Sequence, residues 1–179
     1  MSDLIDRLEA LIADVERRLE EDGDCGTLIA EINALSGCDY SESDFFELHS
    51  WTSPREFAER AALGPAPMVA GITSAQILES IAIVTSAEEP QATFHLERLQ
   101  TSLPHSDASG LIFYPHTELD HEQIADEMLL RQRLFETGGP AAVQVHLRTL
   151  AATVMADPDR RPWSEQWAIS LLGDNAGSA

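Results

Sequence analysis

The chain has 179 residues, 44% of them hydrophobic and 23% charged, a mixture that folds and lies well away from the low-hydrophobicity, high-charge compositions that stay disordered. All eleven basic residues are Arg, against 31 Asp and Glu, and the formal net charge is −20. Such a field repels nucleic acid and anionic membrane, and either steers the protein towards a basic partner or serves only to keep it soluble. No run approaches the roughly 18 uncharged apolar residues of a membrane helix. The N-terminal MSDLIDRLEALIADVERR is acidic and amphipathic where a signal peptide is basic and then apolar, so the expected location is cytoplasmic. The two cysteines, Cys25 and Cys38, are expected to be reduced and to pack as small apolar residues.

Leu4, Ile5, Leu8, Leu11, Ile12, Val15 and Leu19 follow the 3.6-residue spacing of an amphipathic helix, ending by Glu21 or Asp22 ahead of Gly23. Leu28, Ile29, Ile32 and Leu35 predict a second, shorter helix closed by Gly37. The apolar cluster SDFFEL (43–48) comes next. Ser53 and Glu56 then form a capping box with Pro54 at the first helical position, opening a helix that carries Phe57, Ala61 and Leu63.

The stretch GPAPMVAG (64–71) cannot continue a helix and reads as a linker, after which the same order begins again. Thr73 and Gln76 form a capping box for a helix through Ile77, Leu78, Ile81 and Val84. Ser86 and Glu89 form another, with Pro90 in the first turn, for a helix through Phe94, Leu96 and Leu99. The loop PHSDA leads to SGLIFYP (109–115), and Asp120 with Gln123 caps a helix through Ile124, Met128, Leu129 and Leu134 that ends at Gly138 and Gly139. Residues 141–156 predict a further helix, and Trp163, Trp167, Ile169, Leu171 and Leu172 a last one, the two tryptophans forming a core stripe at i, i+4.

SDFFELHSWTSPREFAERAAL (43–63) and SGLIFYPHTELDHEQIADEML (109–129) repeat one order at an offset of 66 or 67: a serine, apolar residues, a polar loop, a capped amphipathic helix. Either two related modules or a chance likeness of helical stretches accounts for it. The expected fold is all-α: an N-terminal helical module over 1–63, a linker over 64–72, a second module over 73–139 and a C-terminal helical extension over 140–179.

No GxxxxGK, GxGxxG, HExxH or GxSxG occurs, so the signatures of phosphate loops, zincins and the serine nucleophile elbow are missing. His105, His116 and His121 lie close in sequence without a known ligand spacing and read as solvated loop residues. His95 and His146 read as surface or partly buried helix residues. The chain is therefore expected to be no enzyme, with no catalytic residue, metal or cofactor.

With two helices, LIFYP and a third helix in place, residues 73–137 resemble the immunity proteins that neutralise colicin and pyocin DNases, small acidic four-helix proteins. Their third helix is one short turn of Ser, Asp, Leu, Ile, two aromatics and Pro; Ser109, Gly110, Leu111, Ile112, Phe113, Tyr114 and Pro115 stand there in this chain. His95, Leu96, Glu97, Arg98 and Leu99 match the pattern on the second helix. The resemblance implies that Phe113 and Tyr114 anchor a nuclease toxin, and that Glu97, with Glu89, Pro90 and Thr93, selects which one. Gly110 stands where the family has aspartate, and Phe113 lacks a phenol hydroxyl. Glu47 and Leu48 stand where the first module would need its aromatics, so 1–63 reads as a degenerate copy or as the reader of another surface. Two functions are favoured: an immunity protein that binds and inhibits a cognate basic nuclease without itself touching nucleic acid or membrane, or an acidic nucleic-acid mimic or helical scaffold working on a basic DNA-binding partner; a small hydrolase or other enzyme with an unfamiliar site is the least favoured reading.

Overall fold

The structure is a computed structural model that describes residues 2–46, 53–157, 159 and 161–173. Every regular element among those residues is a helix and none is a strand: α1 (Ser2–Glu20), α2 (Gly26–Ser36), α3 (Glu42–Phe46), α4 (Pro54–Leu63), α5 (Ser74–Ser86), α6 (Gln91–Ser102), α7 (Ala108–Phe113), α8 (His121–Ala156) and α9 (Pro162–Gly173). None of these helices is long and apolar enough to cross a membrane. The chain forms two compact units that interleave along the sequence, one of residues 1–67 and 86–97, the other of 68–85 and 98–179. The first unit thus takes residues 86–97 out of the stretch expected to form the second module.

In the first unit the apolar stripe of α1 buries Leu8, Ile12 and Val15 against Ile29 and Ile32 of α2, Phe45 of α3, and Phe57, Ala58 and Ala61 of α4. Burying each such large side chain contributes roughly 1.5–3 kcal/mol relative to leaving it in water. Tyr40, Phe45 and Phe57 meet as one aromatic cluster, with ring centroids 4.9 to 6.1 Å apart. Gly37 ends α2 in the left-handed region at φ 74°, where its N–H reaches the Asn33 carbonyl. The Asn33 side-chain amide then holds Tyr40 from both sides, donating to its carbonyl and accepting from its N–H at 2.8 Å each. The capping box at Ser53 forms as its sequence requires, Glu56 Oε2 accepting from the Ser53 N–H and Ser53 Oγ from the Glu56 N–H. Glu47 and Leu48 lie outside the described residues.

In the second unit Ile77 and Ile81 of α5, Leu99 of α6, Leu111 of α7 and Met128 of α8 are fully enclosed. The caps at Thr73 and Asp120 are both closed by reciprocal side-chain bonds from Gln76 and Gln123. The helices expected on either side of Gly138 and Gly139 run end to end as α8, broken at Gly139, whose φ of 67° and ψ of −167° are not helical; Pro140 restarts the helix at once because its fixed φ suits a first turn. α9 packs along the second half of α8, enclosing Ala151, Val154 and Ala168 with Trp167 and Leu171 beside them.

Two expectations fail locally. The box at Ser86 and Glu89 does not open α6. Ser86 is the last residue of α5, α6 begins at Gln91, and the Pro90 carbonyl accepts the Phe94 N–H at 3.1 Å, so Pro90 caps the helix from outside it. The proline ring disfavours helical backbone at Glu89, which leaves no room for a first turn before it. The paired tryptophan stripe also fails: Trp167 is half-buried, but Trp163 is 44% exposed, and the face that α9 buries runs through Ser164 and Ala168.

Candidate partner-binding surface

The short helix α7 presents a buried side and an open one. Ala108 and Leu111, three residues apart, point inward at 3% and 1% exposure; Gly110 and Phe113, also three apart, share the opposite face. Phe113 is 51% exposed, and Tyr114, which leaves the helix at φ −138°, is 83% exposed. Two aromatic rings therefore stand in water on a turn pinned from beneath by Leu111.

The turn begins at Asp107, held in the left-handed region at φ 58° and ψ 53°, a conformation Asp tolerates better than most residues. This geometry folds the Asp107 carboxylate over Gly110, where any β-carbon would collide with it. Glycine at position 110 is thus the residue that lets Asp107 lie there. The same carboxylate faces Arg131 at 3.6 Å.

Arg131 is buried on the core face of α8, four residues beyond Glu127. Its Nε donates to Glu127 Oε1 at 2.7 Å, and the side chains of the pair are 6% and 12% exposed. Glu127 also receives His146 Nε2, at 2.9 and 3.1 Å from its two oxygens, across the break at Gly139. The chain Asp107, Arg131, Glu127, His146 thus ties the start of the aromatic turn to both halves of α8. Sequence reasoning missed this chain. Its one legible sign was an arginine at i+7 from Ile124 and i+3 from Met128, on the helix's apolar stripe.

His116, read from the sequence as solvated, is buried and stacks on Trp167 at 4.8 Å and 24°. Burial pushes its pKa below 6.5, and the Arg131 charge pushes it the same way. The other two loop histidines lie elsewhere: His105 stacks on Phe135, and His121 is exposed in the first turn of α8. Among the described residues no three His, Cys, Asp or Glu side chains converge as a metal ion would require.

The residues that the resemblance makes selective fall in the other compact unit. Glu89 and Pro90 precede α6, and Thr93 and Glu97 follow at spacings that place them on one helical face. Glu97 accepts from Arg60 at 2.9 Å, both side chains being about half exposed, so a partner's cation has to compete with Arg60 for it. Compared with family models, with curated proteins and with solved structures, the chain matches none significantly.

Proposed function

We propose that this chain is a toxin-neutralising protein of the immunity type, which binds a basic, bacteriocin-type DNase in the cytoplasm and blocks it without performing chemistry. The observation that carries the reading is the pairing of an enclosed Leu111 with an open Phe113 and Tyr114 on one six-residue helix. Rigid aromatic side chains with few rotatable bonds bury large area at small entropic cost, and rings of this kind dominate the energetics of many protein interfaces. The net charge of −20 speeds encounter with an enzyme whose DNA-binding face has to be basic. Glu89, Pro90, Thr93 and Glu97 are proposed to tune the choice of toxin, Glu97 by exchanging Arg60 for a cation of the toxin.

The test is protection. Cells that express a panel of colicin- and pyocin-type DNase domains are co-transformed with this chain; survival with at least one toxin, lost in the Phe113→Ala/Tyr114→Ala variant, is the expected result. Survival unaffected by the double substitution refutes the anchor. The charge alone favours the second reading, a mimic of nucleic acid, and there the double variant protects as well as the parent while added salt abolishes binding.

A further inference from the structure

A hollow of about 400 Å³ opens in the second unit between the loop that follows the aromatic turn and both halves of α8. Leu119, Leu130, Leu150 and Val154 are among its walls, so it offers an apolar body a place of the size small-molecule sites have. His116 lines the same hollow. Its ring stacks on Trp167, the residue is only 7% exposed, and neither ring nitrogen has a hydrogen-bond partner among the described residues. Neither nitrogen is sealed from solvent, so the contact they keep is through the hollow that the ring lines. A buried polar group without a protein partner is unfavourable and marks a place where another molecule supplies the bond.

We infer that the hollow binds a small neutral aromatic molecule with one N–H or O–H donor, of the indole or phenol kind, its ring among the four aliphatic side chains and its donor on the unpaired ring nitrogen of His116. A neutral imidazole keeps one nitrogen as an acceptor, and burial, followed by the Arg131 charge, holds this one neutral. An aromatic N–H or O–H donates more strongly than an aliphatic alcohol and carries no charge at neutral pH. Charge disfavours the other classes of ligand. An anion would meet the carboxylates of Asp126 and Glu127 on the same walls. A cation would find Glu127 already engaged by Arg131 and His146, and would come up against the Arg131 charge that faces His116. The inference rests neither on the immunity reading nor on the aromatic turn.

The probes are indole and benzofuran, which share one shape while the second has no donor, titrated by calorimetry into the full chain at neutral pH. Indole is expected to bind about tenfold tighter, because benzofuran leaves the imidazole unpaired. His116→Phe keeps a ring against Trp167 and removes its nitrogens, so the two probes are expected to bind that variant within about twofold of each other. Thr153→Trp, at an exposed position on the wall, fills the hollow without touching the core and reports even where His116→Phe does not fold. It is expected to weaken indole about tenfold, whereas Gln144→Trp, exposed and off the wall, leaves it within about twofold. No binding of indole, equal binding of the two probes to the parent, or equal effects of the two added tryptophans overturns the inference. N-acetyltryptophanamide carries the same ring on a peptide backbone. Weaker binding than indole supports the small-molecule site; tighter binding makes the occupant a partner's tryptophan and overturns it.

Discussion

Replacing Glu127 by alanine is expected to destabilise the chain more than any single exposed substitution can. The carboxylate is 12% exposed, takes the Arg131 Nε at 2.7 Å and both contacts from His146, and sits beside a guanidinium that is itself 6% exposed. Removing it leaves Arg131 buried with, among the described residues, only the more distant Asp107, at 3.6 Å, and a buried charge stripped of its close partner costs about 3–5 kcal/mol. With urea m-values of about 1–3 kcal/mol per molar for domains of this size, the midpoint moves down by one or more molar units. Replacing the pair together, Glu127→Leu with Arg131→Met, removes both charges and keeps the volume, so the double variant is expected to lose much less stability than the sum of the losses of Glu127→Leu and Arg131→Met alone, with a coupling of roughly 0.5–3 kcal/mol. Urea unfolding followed by far-UV circular dichroism and by tryptophan fluorescence reads the parent, Glu127→Ala, the two singles Glu127→Leu and Arg131→Met, and the double variant. A loss below about 0.5 kcal/mol for Glu127→Ala, or strictly additive losses, refutes the reasoning that this is a buried and mutually dependent pair.

Leu111→Ala empties a fully enclosed site and is expected to cost about 2–5 kcal/mol in the same assay, whereas Phe113→Ala and Tyr114→Ala, next to it in sequence but open to water, stay within about 0.5 kcal/mol of the parent. His116 is kept neutral in the folded chain but takes up a proton near 6.5 once unfolded, so the unfolded state binds more protons in acid and stability falls as the pH drops below that value. Melts at about pH 7.5 and 5.5 should show this loss in the parent and a smaller one in His116→Gln. Gly37→Ala meets only an ordinary contact, Pro65 Cδ at 3.8 Å, so its cost, about 1 kcal/mol by thermal unfolding, measures the left-handed backbone alone.

The sequence was most informative where structure is decided within a few residues. The caps at Ser53, Thr73 and Asp120 and the glycine stop at Gly37 need only neighbours three or four positions away, and each formed as its residues dictate. The box at Ser86 had the same letters and failed because Pro90 restricts the residue before it, while α5 runs on to include Ser86. What depends on distant packing was not legible. The i, i+4 spacing of Trp163 and Trp167 cannot tell which ring faces α8, and only the fold brings His116 onto Trp167. Of the aromatic turn, the apolar run and its proline were plain in the sequence, but that Leu111 turns inward while Tyr114 turns out requires the helix to be placed. The role of Gly110 was hidden as well. Its missing side chain is filled by the carboxylate of Asp107, three residues earlier, through a backbone conformation that no residue pattern announces.

The proposed anchor is tested most directly by the affinity of a protected-against DNase domain for the parent chain and for Tyr114→Ala, measured by calorimetry at low and at high salt. If the exposed ring is the hot spot, Tyr114→Ala loses about 2 kcal/mol or more at both salt concentrations, and the parent retains much of its affinity when salt is raised. Affinity that is indifferent to Tyr114 and disappears with salt contradicts the anchor and leaves charge as the whole of the recognition.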